Sequence, residues 1–513
     1  MPNTPLIPML RRALRNAERR TESGGHDAQQ AGRRSFLKQA AAASAVIGAG
    51  GFLASCERSL PQLPKVKVAV VGAGLAGLRA ATILVKRGID VQVYEGSARA
   101  GGRVLSAPDM LVRGAVAELG GEFIDSTHAD MLSLAQAYGL DVVDLESLPN
   151  ADHVEVLFFD GRRYSQRDLD REIAALIPEF RRDIALLPRD LASIRGHEAA
   201  RFDAMSIESY FASIGLTGWL RAFLDVAFTT ENGLELNEQS ALNFLTMISP
   251  DLSDHGFRQY GDSDERYRIR EGSQRLTDRM AAGISTRLHT SHELMQLRQT
   301  SSGYTLTFRK DTSYVELEAD MVVLALPFSV LRNVDMKVAL PPAHKAMIKD
   351  LRYGTNSKVF IGFAERFWHR TRENGVSYSD LPTQVSWENT MLRDSPSGGF
   401  TIFNGGAGSR FMSAHTKDEI ERICMDSIRA IWPQSVDVEH GPVRTYDWAK
   451  HPYSKGSYSS FGVDQWSQFY GVAARNVGNL YFAGEHVSER FRGYMNGAAM
   501  TGRIAAENIL RTL

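Results

Sequence analysis

The sequence predicts an α/β protein of two domains, one of them assembled from separated stretches of chain. Three observations carry this. Val66-Lys67-Val68-Ala69-Val70-Val71 has the pattern of a buried strand. It runs straight into Gly72-Ala73-Gly74-Leu75-Ala76-Gly77, a helical run from Leu78 to Lys86, and a second strand, Val91 to Tyr94, that ends at Glu95. Strand-like pieces then return far downstream, at Tyr304 to Phe308, Met321 to Leu326, Lys358 to Phe363 and Leu480 to Ala483. Between them lie helical stretches, Leu169 to Leu187 and Ser240 to Ile248, and an Ala-rich helix from Gly497 to Leu510 ends the chain. The expected division is a Rossmann-like dinucleotide-binding domain from residues 66–128, 262–340 and 445–513. A mixed sheet-and-helix substrate domain comes from 129–261 and 341–444.

The opening unit supplies the first chemistry. A G-x-G-x-x-G string alone is weak, but here it sits between strand and helix and has an acid about 20 residues further on. Gly72 permits the tight turn, Gly74 lets backbone approach a pyrophosphate, and Gly77 lets the helix pack on the strand. The helix N-terminus offers N–H groups and partial positive charge to phosphates. Glu95 is placed to accept hydrogen bonds from ribose hydroxyls.

Composition narrows the class. The 513 residues are 43% hydrophobic, enough for a large core, and the formal net charge of −1 lacks the basic excess of a general nucleic-acid binder. Two cysteines, Cys56 and Cys424, exclude a disulfide framework or a Cys-based zinc cluster, and no histidine cluster suggests a metal. Cys424, within Ile423-Cys424-Met425, reads as a small core residue.

Residues 1–56 have a separate character. A polar, Arg-rich segment ends in Arg33-Arg34-Ser35-Phe36-Leu37-Lys38, which resembles a twin-arginine export signal, and an Ala/Gly/Val stretch follows from Ala40 to Ala54. That stretch is too short and too weakly apolar for a membrane span. Leu53-Ala54-Ser55-Cys56 resembles a lipobox, with Cys56 as the residue that would carry a lipid anchor; plain cleavage nearby is the alternative. The expected location is the periplasm or the periplasmic side of the membrane, reached through the twin-arginine machinery.

Further motifs follow in a fixed order: Arg99-Ala100-Gly101-Gly102-Arg103, Glu118-Leu119-Gly120-Gly121-Glu122-Phe123-Ile124, Tyr481-Phe482-Ala483-Gly484-Glu485 and Gly493-Tyr494-Met495-Asn496-Gly497. With these the sequence from Val66 to Leu513 resembles the flavin-containing amine oxidases, which include monoamine, polyamine and L-amino-acid oxidases. The resemblance implies FAD as cofactor. It implies that Arg99, Gly101, Gly102 and Arg103 form the loop at the FAD diphosphate, and that Gly120 and Gly121, followed by Glu122, lie along the isoalloxazine. It implies that Gly484 and Glu485 approach the ribityl chain and phosphate, and that Met495 faces the pyrimidine end. A helix starting there would stabilise charge on the reduced ring. Lys358 matches the lysine that holds a water against flavin N5. Tyr458 and Tyr494 match the aromatic cage that steers an amine.

Ser457 stands where monoamine oxidases with covalent flavin carry Cys, so the expected FAD is non-covalent. The reaction implied is oxidation of a small primary or secondary amine by hydride transfer, imine hydrolysis, and reoxidation by O2 giving H2O2. Two alternatives stand beside it: an L-amino-acid oxidase, for which Arg113, Arg258 and Arg270 are candidate carboxylate ligands, and a periplasmic dehydrogenase passing electrons to a carrier. A non-catalytic FAD-binding protein is a third. The substrate walls are expected from 200–260 and 360–405, including Phe228, Trp387 and Phe403.

Overall fold

The computed structural model describes residues 65–248 and 263–513. The export signal, the lipobox at Cys56 and the candidate Arg258 lie outside the described residues.

The strand–turn–helix unit builds the middle of an all-parallel sheet. Its five strands run in the order Leu480–Phe482, Met321–Leu324, Lys67–Val71, Asp90–Tyr94 and Leu288–His289. Lys67–Val71 is central and nearly wholly buried, which is why it reads as a continuous apolar run and not as an alternation. The following helix, Leu75–Lys86, begins three residues earlier than the sequence pattern suggests, because Gly74 is its N-cap. It packs against the last helix, Met495–Thr512, where a Cβ on Gly502 would lie 2.2 Å from Ala76 O. Two glycines of the turn are indispensable for different reasons. Gly72 has φ +99°, and Gly77 lies so close beneath the turn that a Cβ on it would stand 1.9 Å from Gly72 O.

A second, seven-stranded sheet runs in the order Arg444–Asp447, Asn356–Phe363, Gly398–Gly405, Val385–Glu388, Glu373–Ser379, Val154–Phe159 and Arg162–Tyr164. Neighbours are antiparallel except Glu373–Ser379 with Val154–Phe159. Helix Gly218–Asn232 packs over it, and every residue of Asn356–Phe363 and Gly398–Gly405 is buried. The strand Arg444–Asp447, which spans the point 445 where the final dinucleotide-binding stretch is expected to begin, pairs with Asn356–Phe363. A smaller four-stranded sheet holds Ser313–Ala319, Tyr304–Lys310, Glu293–Gln299 and Asp335–Lys337.

Cys424 is fully buried on helix Lys417–Ile431, and burial pushes its thiol up to about 12, so it behaves as a core residue. No helix of the described residues is long and apolar enough to cross a membrane.

The contact under the turn yields a prediction. Gly77→Ala should lower the unfolding free energy by about 1–3 kcal/mol through overpacking against the Gly72 carbonyl. The midpoint of denaturant unfolding reads this, and an unchanged midpoint would contradict the close approach.

Candidate active site

A groove of about 330 Å³ opens where the parallel sheet ends. It is lined by Gly72, Gly74, Glu95, Arg99, Gly101, Gly102, Arg103, Ser457, Gly484, Glu485, Tyr494 and Met495, residues scattered over most of the chain. Two helices begin on it. Gly74 is the N-cap of one, and Tyr494 is the N-cap of the other, whose first residue is Met495. The positive ends of both helices therefore face the same space. Two backbone turns touch across it: Gly101 N donates to Ala73 O at 2.8 Å, and a Cβ on Gly102 would stand 3.2 Å from the Gly74 Cα.

Glu95 is buried and already engaged. Its Oε2 accepts from Ala73 N at 2.7 Å and its Oε1 from Ser97 N at 2.9 Å, leaving lone pairs for further donors. Arg99 lines the groove, but its guanidinium donates to the carbonyls of Ala100 and Gly102 and so braces its own loop. Arg103 crosses the groove instead. Its Nη1 donates to Glu485 Oε1 and to Ser457 O, both at 2.8 Å. Glu485 also accepts from Ser459 N, from Ser459 Oγ and from Gly493 N. Burial pushes the Glu485 carboxyl up, but the Arg103 charge, its hydrogen bond and other neighbouring groups together outweigh burial and hold the carboxyl well below the usual range. His486, the next residue, is 1% exposed and lines the groove. Neither of its ring nitrogens has a partner among the described residues. Helix N-termini, apposed glycines and an unmatched imidazole together fit a dinucleotide bearing a diphosphate.

Lys358, on strand Asn356–Phe363, is 3% exposed. Its Nζ donates to Glu118 O at 2.8 Å, Gly120 O at 3.2 Å and Glu122 Oε2 at 3.2 Å, so three protons have three acceptors. A water beside this lysine would have to take the place of one of them. Burial lowers the Lys358 pKa, and Glu122 opposes the shift. Glu122 Oε1 in turn lies 3.1 Å from Arg268 Nη2 and accepts from Trp387 Nε1 at 3.1 Å. Glu122 thus serves as the counter-ion of Lys358 and Arg268. Gly120 sits against Arg103, where a Cβ would stand 1.9 Å from the Arg103 carbonyl, and Gly121 N donates to that carbonyl at 3.2 Å. Gly77, Gly120, Gly121, Glu122 and Lys358 are not among the residues that line the groove.

Tyr458 and Tyr494 line a second, smaller cavity of about 70 Å³, and both cavities share Gly493 and Tyr494. The Tyr458 hydroxyl donates to Thr230 O at 3.2 Å. Tyr494 is met edge-on by His128, ring centroids 5.0 Å apart. Burial pushes both phenols well up, so they are neutral. Carboxylates crowd this end of the site. Glu231 is fully buried and lines the cavity, with Asp125, Glu155 and Glu265 near it. Burial, then the charges of Glu231, Asp125, Glu122 and Glu155, raise the Glu265 carboxyl well above its usual range.

Sequence reasoning missed Arg268, Glu231, Glu265 and His486. None belongs to a local pattern that marks a role, apart from the adjacency of His486 to Glu485. Some expected wall residues are elsewhere. Phe228 is a core residue packed on Phe244, at 4.9 Å between ring centroids, and Trp387 meets Phe403 at a tilt and Phe123 edge-on beside the Lys358 network. Neither Arg113 nor Arg270 lines the tyrosine cavity; both are exposed. Among the described residues no group of His, Cys, Asp and Glu is arranged to hold a metal ion.

Comparison with known proteins agrees with the geometry. The family model for flavin containing amine oxidoreductases matches residues 75–510. A flavin-containing amine oxidase of Danio rerio is 24% identical over 473 residues, covering 86% of this chain and 85% of that protein. Pseudooxynicotine dehydrogenase of Pseudomonas sp is 23% identical over 488 residues, covering 92% and 94%. Among solved structures, cyclohexylamine oxidase from Brevibacterium oxydans IH-35A superposes with a TM-score of 0.74 at 21% identity, covering 88% of this chain and 99% of that one. Putrescine oxidase bound to putrescine gives 0.73 at 22% identity, covering 87% and 99%.

The Arg103–Glu485 pair sets a pH dependence. The depressed carboxyl stabilises the fold fully above the ordinary carboxylate pKa, and that contribution is lost as pH falls through and below it. Arg103→Met should therefore cost about 3–5 kcal/mol at pH 7 by stranding a buried charge, with the deficit shrinking towards acid. Unfolding midpoints of both proteins across pH measure it; a pH-independent deficit would contradict the assignment.

Proposed function

The chain belongs to the flavin containing amine oxidoreductases, and we propose that it oxidises the carbon–nitrogen bond of a small primary or secondary amine, with oxygen as the acceptor and hydrogen peroxide as product. The observation that carries this reading is one cavity, next to the dinucleotide groove, on which Tyr458, Tyr494 and the buried Glu231 converge. Held non-covalently in the groove beside Ser457, FAD would supply the two-electron acceptor for the substrate's hydride equivalent.

The residues of the chain do the rest. Crowded carboxylates draw a cationic amine inwards, and the two phenol faces orient its nitrogen. The ammonium must return its proton to solvent before reaction; desolvation between the phenols favours that neutral form against the pull of the carboxylates, and its lone pair assists loss of hydride. Lys358 is pinned by three acceptors, so its charge is fixed in position. Gly72, Gly74, Glu95, the 99–103 loop, Gly484, Glu485 and Met495 would hold the cofactor. No side chain is assigned as a general base. Glu231 and its acidic neighbours favour a cationic amine, while Arg492, which also lines the cavity, lies over the Phe461 ring and donates to His486 O, is the guanidinium that the carboxylate of an L-amino acid would meet. A second reading, a dehydrogenase using another electron acceptor, draws on the likeness to pseudooxynicotine dehydrogenase along nearly the whole of both chains. We further propose export by the twin-arginine route, from Arg33-Arg34-Ser35-Phe36-Leu37-Lys38, with Cys56 as the site of a lipid anchor.

Anaerobic mixing with primary amines, diamines, polyamines and L-amino acids tests the reaction. Amines should bleach the flavin band near about 450 nm, and bleaching by L-amino acids alone would overturn the reading. Readmitted oxygen should return one peroxide per flavin; recovery only with an artificial acceptor would favour the dehydrogenase. Tyr458→Ala should lower kcat/KM roughly 3- to 30-fold, the loss of one cation–π face. Replacing Arg33 and Arg34 by Lys should leave the protein in the cytoplasm, as fractionation would read; unaltered export would exclude that route.

A further inference from the structure

Away from the dinucleotide groove, a cleft of about 170 Å³ lies between Gly114–Val116, Arg268–Arg270 and the 389–393 loop. Three guanidinium side chains belong to its lining residues, those of Arg268, Arg270 and Arg393, and no acidic residue lines it. Alternation along strand Tyr267–Ile269 sends Ile269 into the core and puts Arg268 and Arg270 on the opposite face. Arg270 is exposed and tied to Asp141 through Nε, with Nη1 reaching Leu392 O of the facing loop. Arg393 is exposed, rests its guanidinium on Gly114, and makes no ion pair with a described residue.

Arg268 is the informative one. It is 3% exposed, and only one end of its fork is spoken for, by Glu122. Its Nη1 is buried and has no hydrogen-bond partner among the described residues. A charged donor left unmatched in the interior costs more than any single surface contact returns, so this nitrogen calls for an acceptor. Fork-shaped donors match planar or tetrahedral oxyanions. We propose that the cleft is an anion site, taking a small carboxylate or phosphate-type oxyanion on Arg268 Nη1, with Arg393 at its mouth. Because Arg268 shares Glu122 with Lys358, an anion bound there leaves Glu122 more fully to the lysine, and the site is coupled electrostatically to Lys358.

The test uses the FAD-loaded enzyme, so that the cofactor's own diphosphate site is filled. Sodium phosphate and sodium succinate are titrated by calorimetry at constant ionic strength, with chloride as the control. The expected result is saturable binding of one anion per chain above the chloride background, with the tighter of the two naming the class. Arg393→Ala, remote from both cavities, should weaken that binding about tenfold while leaving the unfolding midpoint in chloride unchanged. Arg393→Glu should abolish it. Heats no different from chloride, or equal affinity in both variants, would overturn the proposal.

Discussion

One buried carboxylate, Glu485, holds the walls of the groove in register. It takes donors from Arg103, from Ser459 twice, and from the Gly493 backbone. These come from the loop after the first βαβ unit, from the segment carrying Ser457 and Tyr458, and from the turn before Tyr494 and Met495. An anion placed in an interior without such partners would either take up a proton or destabilise the fold. With them it stays ionised, and each partner is fixed relative to the others. The positions of both tyrosines and of the second helix N-terminus follow from satisfying this one charge.

A second network is built the same way around Lys358. The lysine comes from the seven-stranded sheet, Glu122 from the loop after the double glycine, Arg268 from a short strand and Trp387 from a strand two places away in the large sheet. Two cations share one carboxylate, and backbone carbonyls complete the lysine's set. Burial alone would favour the neutral amine of Lys358, and Glu122 works against that. The balance ties the seven-stranded sheet to the loop that carries Glu122. It also carries any change at Arg268 to Lys358.

Around the tyrosine cavity carboxyl groups gather beside a single lining guanidinium, that of Arg492. Glu231, Asp125, Glu155 and Glu265 cluster near two neutral phenols, and the strongly raised Glu265 carboxyl shows how costly it is to keep them all ionised. A site built this way favours positive ligands, which accords with an enzyme acting on amines.

The first strand–helix–strand unit, the glycine turn, the acid at Glu95 and the helix that closes the chain were legible in the sequence. Each depends on residues within about 30 positions of one another, and short-range sterics and periodicity decide them. The pairing of Arg444–Asp447 with Asn356–Phe363 was not legible, because it is a contact across 84 to 90 positions. The site divides the same way. Motifs and resemblance pointed to Lys358, Tyr458, Tyr494 and the glycine loops, and the fold brings most of them to two adjoining cavities. Arg268, Glu231 and Glu265 carried no such mark. Their roles come from where folding sets a charge in relation to others far along the chain and from how completely water is removed around it. By itself the sequence determined which backbone could cradle a dinucleotide. Only the tertiary structure decided which charges face one another, because burial and long-range pairing, not local spacing, set their energies.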